Sequence, residues 1–169
     1  MNSSTKSPEQ EQAQTLMQSY ARKQSIYDAE LDASGNVAFG DFGFRHDADK
    51  NALIGRVFVA KAWMLGDPPD YQDAYRTVAR ALNDPAVGGL FDQGGGYFRL
   101  DEDKRIYFLE KDFPLGKTTP ADLEKGMEQL RNLGATWTMR WFARVADVAH
   151  GRAFPPAKPV KQGDSDDSY

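Results

Sequence analysis

The stretch Gly94–Gly151 reads GGGYFRLDEDKRIYFLEKDFPLGKTTPADLEKGMEQLRNLGATWTMRWFARVADVAHG, and its reading decides the fold. After the glycine run Gly94–Gly96 come Tyr97-Phe98-Arg99-Leu100, a charged turn Asp101–Lys104, and Ile106-Tyr107-Phe108-Leu109. Phe113-Pro114-Leu115 closes this hairpin. From Thr119 the apolar period changes. Leu123, Met127, Leu130, Trp137, Trp141, Val145 and Val148 recur at steps of three and four, with one step of seven across Gly134. That is a helical stripe. Thr119 is a good N-cap, Pro120 suits the first helical position, and Asp122 favours the positive end of the helix dipole. Unbroken from Pro120 to His150, the helix is about 45 Å long at ~1.5 Å per residue. Gly134 costs ~1 kcal/mol inside a helix, so a kink is expected there. A hairpin therefore feeds a helix able to cover it.

Upstream, Ser7-Pro8-Glu9-Gln10 is a helix start, with Gln10 completing a capping box. Ala13, Leu16, Met17, Tyr20 and Ala21 share one face of that helix. Ile26–Leu31 reads as extended, with helix continuation as the alternative. Asp32–Asn36 is a turn by composition. Val37–Arg45 reads as a strand whose parity switches at Gly40-Asp41, where a bulge or sharp twist re-aims the side chains. Val37 and Phe39 share one parity; Phe42 and Phe44 share the other. After a second turn at His46–Asn51, Leu53–Trp63 is apolar on both faces and needs cover on both. Gly66–Asp70 is a loop, Tyr71–Leu82 has helical spacing, and Asn83-Asp84-Pro85 stops it. Pro85–Gly96 is a glycine-rich connection. The order α-β-β-β-α-β-β-α predicts an α+β fold: an antiparallel sheet with helices packed mainly on one face. The domain plan is a disordered tail at 1–7, one domain at 8–151 and a flexible Pro/Lys/Asp tail at 152–169.

Composition narrows the function. The chain has 169 residues, 40% of them hydrophobic, a formal charge of −4 and no cysteine. That length suits one domain with a sizeable core. Mild acidity argues against a general nucleic-acid binder, which carries a basic stripe. Thiolate metal sites, disulfides and cysteine nucleophiles are excluded. No apolar run nears the ~20 residues that span a bilayer, and Met1–Lys6 lacks an apolar signal core. A cytoplasmic protein without nucleic-acid or membrane partners is expected.

Catalytic and metal motifs find little support. His46 and His150 lie far apart and outside any metal-ligand spacing. Asp47-Ala48-Asp49 and Asp101-Glu102-Asp103 lack the glycine and glutamate of a calcium loop, and read as turn chemistry. Gly88-Gly89 and Gly94–Gly96 precede a strand, whereas a phosphate loop precedes a helix. No Gly-x-Ser-x-Gly elbow occurs. No catalytic residue, metal ligand or cofactor is assigned, and an enzyme is not expected. Aromatic residues of both strand parities leave two readings: one core face with scattered exposed rings, or a sheet face used for a partner.

From Tyr97–Asp101 through Phe113-Pro114-Leu115 to Leu123, Met127, Leu130 and Trp137, the chain resembles the type III secretion chaperone-like superfamily. That group includes the Tir-chaperone family and YbjN-like proteins. Motifs carry the resemblance over 97–141; element order extends it to about 8–150. It implies a non-catalytic homodimer binding an extended segment of a protein client, by side-chain docking and added strand pairing. The client contacts it implies are Leu16, Met17 and Tyr20 on the first helix and Phe42, Phe44, Ile54 and Phe58 on the sheet. The dimer contacts are Tyr71, Tyr75, Val78 and Tyr97. The alternative is a YbjN-like regulatory or structural module of the same fold with no secreted client. The Pro85–Gly96 connection, the helix extended to His150 and the Pro/Lys/Asp tail are departures from the pattern.

Overall fold

The computed structural model describes residues 7–62 and 71–151. The expected disorder of 1–6, the strand end at Trp63, the Gly66–Asp70 loop and the tail 152–169 lie outside the described residues. Chain order is α1 (Pro8–Lys23), β1 (Asn36–Ala38), β2 (Phe42–Asp47), β3 (Ala52–Lys61), α2 (Tyr71–Asn83), β4 (Tyr97–Asp101), β5 (Ile106–Pro114), α3 (Pro120–Thr136) and α4 (Phe142–Ala149). A short 3-10 turn, Gly88–Leu90, precedes β4, and a π-helical turn, Trp137–Trp141, joins α3 to α4. The strands form an antiparallel sheet in the order β1-β2-β3-β5-β4. The helices pack on one side of it. The α+β class and the element order are as the sequence predicts.

The strands are distributed differently from the expectation. Ile26–Leu31 is neither strand nor helix. It lies along α1, where Gln18 Nε2 donates to the Ala29 carbonyl and Gln14 Oε1 accepts from the Leu31 N–H. The missing strand comes from dividing Val37–Arg45. The parity switch there is a hairpin rather than a bulge. Phe39 N–H donates to the Phe42 carbonyl at 2.8 Å, enclosing Gly40-Asp41 as a two-residue turn. Gly40 has φ +90°, which the first central position of such a turn requires. The chain does contain a bulge, but in β3, where the register shifts between Phe58 and Ala60.

Register sorts the side chains. Phe42 and Phe44 of β2, Leu53 and Val57 of β3, Phe98 of β4 and Tyr107, Leu109 and Phe113 of β5 belong to the core beneath the helices. α1 adds Leu16, Met17 and Tyr20; α3 adds Leu123, Met127 and Leu130. Both helix starts carry the expected caps. Ser7 and Gln10 exchange a reciprocal pair of bonds, and so do Thr119 and Asp122. The Thr119 N–H beside Asp122 holds that carboxyl below its usual range.

α3 approaches the sheet very closely. A Cβ on Gly134 would stand 2.7 Å from Val57 Cγ2 and 3.3 Å from the Phe58 carbonyl oxygen. Gly126 rests in the same way on the Phe113 ring. The helix irregularity lies just beyond Gly134, in the π turn, and it meets the β3 bulge. There the Thr138 hydroxyl donates to the Val59 carbonyl. The expected kink at Gly134 is therefore replaced by a register change three residues later, and Gly134 serves close packing. The π turn carries Trp137 into the core, where its indole N–H donates to the Asp92 carbonyl at 2.7 Å. Its ring meets Phe98 edge-on at 4.5 Å.

Helix propensity and packing make opposite forecasts for Gly134→Ala. Propensity alone favours alanine by ~1 kcal/mol. Overpacking a β-branched core residue costs about 1–3 kcal/mol. Chemical denaturation is expected to show a net loss of stability, with an unchanged m-value.

Candidate functional site

The sheet has two edge strands, β1 and β4, and the chain treats them differently. In the β1–β2 ladder, His46 N–H donates to the Gly35 carbonyl and Phe39 N–H to that of Phe42. Asn36 and Ala38 therefore turn their main-chain groups away from β2. Those of Asn36 are taken: its N–H donates to the Asp32 carboxylate, and its carbonyl accepts from the Asp32 N–H. The outward N–H and C=O of Ala38 have no partner among the described residues. On the far edge, the Asn83 side chain acts as a short strand for β4. Phe98 N–H donates to Asn83 Oδ1 at 2.7 Å, and Asn83 Nδ2 donates to the Phe98 carbonyl at 2.9 Å. α2 is further strapped across this edge. Arg76 holds Glu102 at 2.7 Å, and the Tyr107 hydroxyl donates to the Tyr75 carbonyl at 2.8 Å.

A groove of about 650 Å³ runs beside α1, between its outer face and the segment leading into α3. Leu16, Thr15, Gln12 and Pro8 form one wall; Gly116, Thr118 and Pro120 form the other. Behind it, one network ties α1 to α3 and to the β1–β2 hairpin. Tyr20 donates to Glu128 at 2.9 Å and accepts from Arg131 at 3.0 Å. Arg131 also lies 4.4 Å over the Phe42 ring and 3.6 Å from Asp41. Burial pushes the Tyr20 phenol up to about 12.

The sheet face away from the helices carries Arg45, Ile54, Arg56, Phe58, Ile106, Phe108, Glu110, Asp112, Tyr97 and Arg99. Its own long side chains roof it. Glu110 is fully buried and accepts from Arg45 at 3.0 Å. Arg56 lies 4.3 Å over the Phe108 ring. Tyr97 donates to Asp112 at 2.6 Å, and Lys50 reaches both. Burial, reinforced by the Asp112 bond, pushes the Tyr97 phenol up to about 12.

No family model matches the chain, and no curated protein matches it in sequence. Solved structures do match. A chain of the HopA1–SchA chaperone–effector complex aligns with a TM-score of 0.52 at 17% identity, over 80% of this chain and 99% of that one. A chain of the ExsC–ExsE complex aligns with a TM-score of 0.55 at 13% identity, over 78% and 95%. The protein shares its fold with these two chains. Within this fold the residues named from sequence occupy three places. Leu16, Met17, Tyr20, Phe42 and Phe44 sit together between α1 and the sheet, with Leu16 also on the groove wall. Ile54 and Phe58 lie on the opposite face, Ile54 fully buried and Phe58 half-buried. Tyr75 and Val78 are buried under α2, and Tyr71 is half-buried, its hydroxyl accepting from Arg105 at 2.8 Å. Tyr97 stands apart from them on the helix-free face. Sequence reasoning missed Ala38 and Asn83. A three-residue strand has no periodicity to detect, and an asparagine after a helix reads only as a stop signal.

Asn83→Ala leaves the Phe98 N–H and C=O without their partner. Thermal denaturation is expected to show a loss of about 1–3 kcal/mol, and sedimentation should show new self-association through β4. Raised phenol pKa values make stability fall in alkali. The neutral phenol is favoured in the folded state, so the contribution is intact below the free value near 10. It is lost as pH climbs towards about 12. Tyr97→Phe should reduce that alkaline loss, followed by circular dichroism alongside tyrosinate absorbance.

Proposed function

We propose that this protein is a non-catalytic protein-binding module that holds an extended segment of a client. The observation that carries this reading is the unpaired Ala38 edge of β1 in a fold shared with a chain of the HopA1–SchA chaperone–effector complex. An added strand takes hydrogen bonds from Ala38, and side chains of the client dock in the groove walled by Leu16. Met17, Tyr20, Phe42 and Phe44 act from behind, by fixing α1 on the sheet. Phe58 offers a half-exposed ring on the opposite face, with Ile54 beneath the same roof. Binding of this kind uses no cofactor and breaks no bond. No helix among the described residues is long and apolar enough to cross a membrane, and we place the protein in the cytoplasm.

The proposed working form is a homodimer built on α2 and its surroundings. Tyr71 is the half-exposed contact, Tyr75 and Val78 stiffen the helix from within, and Tyr97 opens β4. Light scattering on the 18.9 kDa chain is expected to give about twice the monomer mass. A monomer at all accessible concentrations removes this part of the reading.

Client binding is testable with overlapping peptides from proteins encoded beside this one, followed by fluorescence anisotropy. At least one segment is expected to bind in the micromolar range. Ala38→Pro removes the outward N–H at an edge position that tolerates proline, and should weaken binding by about tenfold, the loss of one hydrogen bond. Leu16→Glu should weaken it independently. Binding unaffected by both variants overturns the site. Absence of any binding segment favours a regulatory module without a secreted client.

A further inference from the structure

The helix-free face of the sheet holds a concavity of about 550 Å³ whose arginines client capture at β1 and α1 does not use. It extends from Ala38 on β1 across Arg45 and Arg56 to Arg99 and the β4–β5 turn.

Three guanidinium groups meet this space in two different states. Arg45 is neutralised, with Glu110 at 3.0 Å and Asp47 at 3.3 Å, and its buried Nε has no acceptor. Arg56 and Arg99 have no ion pair or hydrogen bond with any described residue. Both are brought to the same patch of β5. The Arg56 guanidinium lies 4.3 Å over the Phe108 ring, and Phe108 is the direct cross-strand neighbour of Arg99. Two unpaired cations on either side of one strand repel each other, and a bound anion relieves that repulsion. Four carboxylates also line the space, Asp32, Asp101, Glu102 and Asp103, and three of them are engaged elsewhere. Asp32 accepts from the Ser34 and Asn36 N–H groups, Asp101 accepts from the Lys104 N–H, and Glu102 is held by Arg76.

We propose that this concavity binds a compact oxyanion carrying two or more negative charges, gripped by Arg56 and Arg99 over Phe108. The guanidinium fork matches carboxylate and phosphate oxygens in pairs. The volume suits a small molecule. Arg45, fixed by Glu110, forms the floor. The ligand chemistry is a phosphorylated compound or a polycarboxylate, and two probes separate them.

Isothermal titration with pyrophosphate and with citrate, at low ionic strength, tests the site on the full chain. One saturable site is expected for at least one probe. Pyrophosphate alone assigns a phosphorylated ligand, citrate alone a polycarboxylate, and both a general dianion site. Arg56→Gln and Arg99→Gln should each weaken binding by about tenfold, the loss of a charged hydrogen bond. Arg80→Gln, on the exposed side of α2, should leave it unchanged. Arg99 is exposed, so its variant folds whatever Arg56→Gln does, and circular dichroism verifies each. Saturation by neither probe, or equal binding by wild type and Arg99→Gln, overturns the proposal.

Discussion

The rest of the structure depends on how closely α3 lies on the sheet. Helix–sheet contact at ordinary distance leaves room for side chains on both surfaces. Here Gly126 and Gly134 on the helix, and Gly55 on β3, remove them. Met127 fills the space over Gly55, Phe113 fills that under Gly126, and Val57 reaches the backbone at Gly134. Close approach then sets the register of the chain beyond Gly134. The helix crosses β3 where β3 bulges, and the π turn absorbs the mismatch, with Thr138 bonded to the bulge carbonyl. π turns inside helices often mark functional places. This one has a packing reason, because it delivers Trp137 among Phe91, Phe98 and Trp141.

With the helices all on one side, the opposite face must cover its own apolar residues. Ile54 is fully buried with no helix above it. The cover comes from charged side chains lying flat, apolar stems on apolar floor and heads paired across strands. Arg45 and Glu110 form the tightest of these pairs. A fully buried carboxylate is a poor source of net stability, since desolvation offsets most of the Coulombic gain. It does resist disruption, because losing either partner strands a charge. The pair therefore argues for a specified surface, and it leaves Arg56 and Arg99 without an ion pair among the described residues.

Much of this fold is legible from the sequence where the pattern is long. The caps at Ser7 and Thr119, the β4–β5 hairpin and the α3 stripe are visible because each involves several residues in register. β1 is not visible as a strand of its own, because three residues carry no period. The Gly40-Asp41 parity switch is visible as an event but ambiguous in kind. A bulge and a two-residue turn both invert the alternation, and only the Phe39–Phe42 bond distinguishes them. Site residues are legible as apolar positions without the side to which they belong. Phe42 and Phe58 look alike in sequence, yet register puts Phe42 under α1 and Phe58 on the other face. The arginines of the concavity come together only through strand pairing, since Arg45, Arg56 and Arg99 are distant in the chain.

Unequal treatment of the two edges bears on how a client would be held. A free edge invites indiscriminate pairing, and proteins shorten or plug edges to prevent it. At β4, Asn83 plugs the Phe98 position and α2 is strapped across. At β1 the Asp32 turn takes the Asn36 groups, so only one N–H and C=O pair remains, at Ala38. One such pair contributes about 1 kcal/mol per bond, far too little to hold a chain alone. It fixes direction and register instead. Affinity must then come from apolar side chains, at ~0.8 kcal/mol for each buried methylene. In the proposed reading the groove beside Leu16 is the place for them, and its shape, more than the edge, would decide which segment stays bound.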